Sequence, residues 1–246
     1  MNILETIRIG PYEGWILEEM PDKMRELLPF WLVGRRVEDG KEIVSGRVYR
    51  WNNYIVKFFG SKWAPQYCFR HSPAWRAAKS YYELKPILSP CPIALFERKS
   101  LFRLYESAII VKYLEGRTLK QVWNNDSSAI EGLPSFFAEM HKRRIFHCDL
   151  SINNLLWTEN KWALIDLDSI DVWKYRRILY SLSYRYYVLY SWKNLYCSLQ
   201  LDDKLQEVFF KYLDETGLSW NKESTWNIID RKARKGYLRI KIHGHD

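Results

Sequence analysis

The stretch FHCDLSINNLLW, residues 146 to 157, places Asp149 five positions ahead of Asn154, and ALIDLD brings Asp166 and Asp168 a short way downstream. That order suits phosphoryl transfer from ATP. The reaction needs a carboxylate that orients the acceptor hydroxyl and takes its proton. It also needs hard oxygen ligands for a Mg2+ ion that bridges the phosphates and keeps several of its waters. Asp149 is the candidate for the first task, and Asn154 and Asp166 for the second, with Asp168 as a second carboxylate beside them. Phosphate charge also calls for a positioned ammonium, which Lys57 in YIVKFF supplies from an expected strand. His147 reads as a packed, hydrogen-bonded support of the loop rather than an acid or base. Each residue has an ordinary alternative: an Asx turn for the aspartates, a cap for Asn154, a solvated strand cation for Lys57. It is the ordered set that favours chemistry.

These residues need elements to position them. EIVSGRVYRWNNYIVKFF reads as two β-rich runs around Asn52-Asn53, with Lys57 near the end of the second. AWRAAKSYYEL, following Pro73, has Trp75, Ala78, Tyr81, Tyr82 and Leu84 at helical spacing and ends near Pro86. IALFERKSLFRLYESAIIVKYLEG reads as further strands, with ERKS as a turn and SAIIVKYL as a buried strand. LPSFFAEMHKRR is helical and runs into the opening motif. NLLWTENKWALID is a hairpin turning at Glu159-Asn160-Lys161. The chain from Trp173 to about Tyr196 is helical, and LQEVFFKYLDETG is an amphipathic helix closed by Gly217. A β-rich half followed by a helical half, joined near residues 113 to 117, gives an α+β, bilobal plan.

The chain has 246 residues, 47% of them apolar, and a formal charge of +9. That supports a substantial core and a surface that gathers phosphates, polyanions or anionic membrane. Cys68, Cys91, Cys148 and Cys197 lack paired spacing, so neither a disulfide framework nor a zinc site is expected. The N-terminus carries acids where an export signal needs a basic start, and no window reaches the roughly 18 apolar residues of a spanning helix. A cytoplasmic protein with peripheral membrane contact is the expectation, with no nucleic-acid partner.

HCDLSINNLL followed by LIDLD resembles the catalytic core of the protein-kinase-like superfamily, and within it the bacterial Kdo and lipopolysaccharide core heptose kinases, whose metal-binding aspartate often stands in a D-x-D. WKYRRILYSLSYRY also resembles the Trp- and Arg-bearing helix found there in those kinases. The resemblance spans about Lys41 to Tyr190. It implies a β-rich, ATP-covering lobe over residues 1–113 and a helical lobe with the catalytic loop over 114–246. It further implies ATP and Mg2+ as cofactors, ATP contacts at Gly46, Lys57, Lys112 and Leu114, and a saccharide or glycolipid acceptor. Two features depart from the kinase pattern: Gly46 is the single glycine of the first strands, and Glu83 is the only carboxylate in the helix that should hold Lys57. Cys148 replaces the arginine that reads a phosphorylated activation loop, and the few residues between Asp168 and Trp173 leave no peptide platform, which disfavours a protein substrate. A soluble small-molecule phosphotransferase of the aminoglycoside or choline type, and a catalytically silent polyanion- or membrane-binding module, stay open as alternatives.

Overall fold

Period-two alternation of apolar residues organises the N-terminal region of the computed structural model, which describes residues 1–60, 72–100, 103–172 and 177–243. The chain divides into two units, Met1–Lys85 with Ser89–Leu114, and Pro86–Leu88 with Glu115–Asp246. The first unit is built on a seven-stranded antiparallel sheet. Its strands are β1 (Glu5–Ile9), β2 (Tyr12–Ile16), β3 (Lys41–Val44), β4 (Val48–Trp51), β5 (Tyr54–Phe59), β6 (Pro92–Ser100) and β7 (Arg103–Lys112), in the order β1-β2-β6-β7-β5-β4-β3.

Two helices flank the sheet. α1 (Asp22–Gly34) turns Met24, Leu28, Trp31 and Leu32 onto one face, where they join Tyr49, Trp51, Val56, Phe58, Ala94, Phe96, Ala108 and Ile110 in the core. Burying each large side chain contributes about 1.5–3 kcal/mol. Pro29 inside α1 masks this helix in the sequence; it lies on the exposed side, where its missing N–H is tolerated. α2 (Pro73–Leu84) is capped by the Ser72 hydroxyl, which accepts from the Trp75 amide at 3.1 Å, and it packs on β6 and β7. Its buried face consists of small residues, Ala74, Ala77, Ala78 and Ser80, together with Leu84, so the helix lies close to the strands. Of the aromatics counted toward its apolar stripe, Trp75 is half-buried and packs against Trp15 at 5.1 Å between ring centroids.

Two sequence expectations are corrected here. The first of the two β-rich runs is itself a hairpin, β3 and β4, because Gly46 adopts φ +63 and lets the chain reverse. ERKS is strand rather than turn: Glu97 lies opposite Ser107 and is buried, so the reversal falls after Ser100.

The second unit is mainly helical. β8 (Arg117–Thr118), α3 (Leu119–Val122), α4 (Ser127–Glu131) and α5 (Leu133–Lys142) lead to β9 (Ile145–His147). β10 (Leu155–Thr158) and β11 (Lys161–Leu164) form the expected hairpin, with Glu159 and Asn160 both at positive φ. A 3₁₀ turn (Leu167–Ser169) and β12 (Ile170–Val172) follow, then α6 (Arg177–Ser198), α7 (Lys204–Thr216) and α8 (Lys222–His243). Gly217 ends α7 at φ +64. Trp173 to Arg176, expected to open the long helix, lie outside the described residues. The core is aromatic. His141 stacks between Phe137 and Phe146, Trp192 packs tilted on Phe137 and edge-to-face on Phe209, and His141 shares a 2.7 Å hydrogen bond between Nδ1 and the Tyr212 hydroxyl. Burial holds His141 neutral, its pKa lowered to about 3. Among the described residues no helix is long and apolar enough to cross a membrane.

Candidate active site

In the second unit, β9 hands the chain to the loop 148–154 and β10 takes it away. His147 is buried and ties the start of this loop to the residue that follows β11. Its Nδ1 accepts the Asp149 amide at 3.3 Å, which leaves Nε2 as the protonated nitrogen, donating to the Ile165 carbonyl at 3.1 Å. One ring thus links the residue next to Asp166 to Asp149, the supporting role expected from the sequence.

Asn154 makes the second tie. Its Nδ2 donates to the Asp149 carbonyl at 2.8 Å, so its Oδ1 is the end of the amide that remains to accept or ligate. Its own carbonyl accepts from the Ile165 amide at 3.1 Å, extending the β10–β11 ladder by one pair beyond Leu155 and Leu164. Asp166 follows directly, with φ 61 and ψ 51, a left-handed conformation that Asp tolerates better than most residues. Asp149, Asn154 and Asp166 are therefore brought to one end of one hairpin by backbone and ring hydrogen bonds. Asp168 lies in the 3₁₀ turn just beyond.

α6 buttresses the loop, although its sequence gave no sign of this. Asn194 Nδ2 donates to the Cys148 carbonyl at 3.3 Å, and Ser198 Oγ accepts from the Ile152 amide at 3.2 Å. Side-chain-to-backbone contacts of this kind have no periodic signal, and Asn194 and Ser198 do not stand out on a helix that also carries Arg185, Ser191 and Lys193.

The other sequence candidates lie in the first unit. Lys57 is on β5, directly opposite Val48 on one side and Ile109 on the other, with Nζ 4.9 Å from the centre of the Phe59 ring. Gly46 is the tip of the β3–β4 hairpin, two residues before Val48, and its amide donates to Glu42 Oε1 at 2.5 Å. Directly paired residues share a sheet face, so Trp15, Leu95, Ile109 and Lys57 form one row on the side that α2 covers. Toward β4 the same face carries Val48, Ile55 and Val111, all half-buried, and Lys112 and Leu114 follow at the end of β7. The Lys112 amide is committed to the Cys91 carbonyl at 2.8 Å and that of Tyr113 to Asn53 at 2.7 Å. Glu83 is half-buried on α2.

Among the described residues no cluster of three or more His, Cys, Asp or Glu could hold a metal by itself. The second unit instead offers one amide oxygen and neighbouring carboxylates, the sparse all-oxygen set that suits Mg2+, an ion bound through one or two carboxylates plus substrate phosphates. Cys91, Cys148 and Cys197 are free thiols; Cys68 lies outside the described residues. So do Lys174 and Arg176 of WKYRRILYSLSYRY, and the side chain of Arg177.

The β-sheet N-terminal region, the helical C-terminal region and the loop-and-hairpin arrangement between β9 and β12 define a mixed α/β, protein-kinase-like fold. No family model and no curated sequence matches the chain. Among solved structures it is similar to WaaP in complex with acyl carrier protein, at 17% identity and a TM-score of 0.60 over 90% of this chain and 99% of that one. It is also similar to the bifunctional kinase-methyltransferase WbdD, at 14% identity and a TM-score of 0.42 over 76% of this chain and 46% of that one, so the chain spans about half of WbdD. The likeness to WaaP is one of fold, and at that level it matches the resemblance to lipopolysaccharide kinases carried by the catalytic-loop residues.

Proposed function

We propose that the protein is a kinase that transfers the γ-phosphoryl group of ATP to a hydroxyl of a saccharide or glycolipid, a lipopolysaccharide core sugar being the favoured acceptor. The observation that carries this reading is the Asn154 side chain. By donating to the Asp149 carbonyl it fixes the loop and leaves its oxygen as the end of the amide that can ligate, while its own carbonyl pairs with the amide of Ile165, the residue before Asp166. In this reading Asp149 accepts the proton of the attacking hydroxyl, and Asn154 and Asp166 hold Mg2+, which when bound screens the phosphate charge. Lys57 neutralises the phosphates from β5, Gly46 lets the β3–β4 hairpin approach them, and Lys112 and Leu114 meet the base through their main chain. His147 keeps Asp149 and Asp166 in register.

The few residues between Asp168 and Trp173, too few for a peptide platform, and the resemblance of the catalytic-loop residues to lipopolysaccharide kinases support a saccharide acceptor over a protein. Peripheral contact with an anionic membrane is supported by the exposed cations Arg231, Lys232 and Lys235 on α8. Incubating the purified protein with labelled ATP and Mg2+ against core saccharides, soluble sugars, aminoglycosides and a generic protein tests the acceptor class. Label on core saccharide alone supports the proposal, label on the small soluble acceptors favours the alternative phosphotransferase, and no transfer to any acceptor leaves the silent-module reading.

A further inference from the structure

The half-buried face formed by Val48, Ile55 and Val111 is bounded at its outer end by an arrangement that the catalytic plan does not require. Arg50 lies on β4 opposite Ile55, and Ile55 lies opposite Val111, so Arg50 shares the sheet face of Lys57. Its guanidinium stands 3.8 Å from the centre of the Tyr113 ring. Its Nε donates to the Asn52 carbonyl at 3.2 Å, and the Tyr113 amide donates to the neighbouring Asn53 carbonyl at 2.7 Å. Asn52 takes φ 50 to make that turn. The β4–β5 turn, Arg50 and Tyr113 thus hold one another by two hydrogen bonds and a cation–π contact, at the place where β7 ends and Leu114 begins.

We infer that Arg50 and Tyr113 form a clamp for the base of a nucleoside triphosphate and set the affinity for the phosphoryl donor. The inference rests on the phosphoryl-transfer reading above. A planar, aromatic base needs an apolar floor and an aromatic or cationic wall, and this face supplies both: Val48, Ile55 and Val111 as floor, Tyr113 with Arg50 as wall. The guanidinium fixes the plane of the phenol ring by covering it. Its in-plane Nη groups are left as donors to acceptor atoms of the base or ribose, since among the described residues the hydrogen bond made by Arg50 runs from Nε. Lys57 lies two residues from Ile55 on the same face, so one side of one sheet carries a half-buried apolar patch, a cationic wall and a lysine ammonium in sequence. Tyr113 and Arg50 act on binding; neither is placed to touch the transferred phosphoryl group.

The test is titration of a fluorescent ATP analogue with Mg2+ into the wild type, Arg50→Gln, Arg50→Lys, Tyr113→Ala and Tyr113→Phe, alongside steady-state kinetics and thermal melting. Losing the stacked cation or the ring should weaken nucleotide affinity about 3- to 30-fold, the range expected for a cation–π contact passing from an exposed to a desolvated setting. KM for ATP should rise with kcat unchanged. Tyr113→Phe should keep most of the affinity and Arg50→Lys should recover part of it. If Arg50→Gln and Tyr113→Ala bind the analogue as the wild type does, whether or not they melt early, the clamp is refuted while phosphoryl transfer stands. If the wild type binds no nucleotide, the proposed function fails and the clamp fails with it.

Discussion

Asp166 combines two demands that separate in the right variants. Its left-handed backbone costs an ordinary L-residue roughly 1–2 kcal/mol, and its carboxylate is the proposed metal ligand. Asp166→Ala should therefore lose both stability and Mg-dependent nucleotide affinity, whereas Asp166→Asn, which tolerates the same backbone, should keep the melting temperature and lose mainly the affinity. Calorimetry with Mg-ATP beside thermal denaturation checks this; unchanged affinity in both variants would assign the metal elsewhere. At this scale the nearness of Asp149, Asn154 and Asp166 was legible in the sequence for a physical reason: the roles proposed for them need particular atoms at particular spacings, and such requirements stay visible in the chain. Asn194, Ser198, Arg50 and Tyr113 were not legible, because their partners are backbone carbonyls and amides or a ring brought near by sheet register.

Elements were legible where their periodicity was clean, as in α5, α7 and the β10–β11 hairpin. They were hidden where a local signal was broken. Pro29 interrupts the pattern of α1, the β3–β4 turn lies inside what reads as one β-rich run, and α8 reads as a charged tail because, among the described residues, Thr225, Trp226, Ile229 and Ala233 are its sparse buried positions. The packing of α5 on α7 makes a pH prediction. His141 is held neutral by burial, its pKa lowered to about 3, below its ordinary value. As pH falls through about 6.5 the unfolded chain takes up a proton that the folded chain refuses. Stability is intact above that pH and falls toward pH 3, at up to about 1.4 kcal/mol per pH unit. His141→Gln should flatten this dependence in denaturant melts between pH 4 and 8, at the cost of a lower plateau from lost packing around Phe137, Phe146 and Tyr212. Parallel curves for the two proteins would mean that His141 is not what titrates. A second element-scale expectation concerns Gly116, where a Cβ would stand 3.0 Å from the Trp157 carbonyl and 3.2 Å from Thr158 Cβ. Gly116→Ala should destabilise the protein by about 1–3 kcal/mol by forcing β8 away from β10.

Across the whole molecule, a formal charge of +9 predicts behaviour that no single residue explains. If the acceptor is anchored in an anionic membrane, the protein should cosediment with anionic vesicles at low salt and release as salt rises, since each cation contributes about 1 kcal/mol near the surface and fades within a Debye length of about 10 Å at 0.1 M. Reversing Arg231, Lys232 and Lys235 to Glu together should reduce vesicle binding and activity on a lipid-linked sugar while sparing a soluble fragment. Equal binding to anionic and neutral vesicles would reduce the cations to a solvated face. The central claim, that the chain moves a phosphoryl group to a sugar hydroxyl with Asp149 as proton acceptor, is tested most directly by following label from γ-labelled ATP into a core saccharide with wild type and Asp149→Asn. Transfer by the wild type that falls about 10²- to 10⁴-fold in the variant, with Mg-ATP affinity nearly intact, is the predicted result; equal transfer by the two proteins would contradict it.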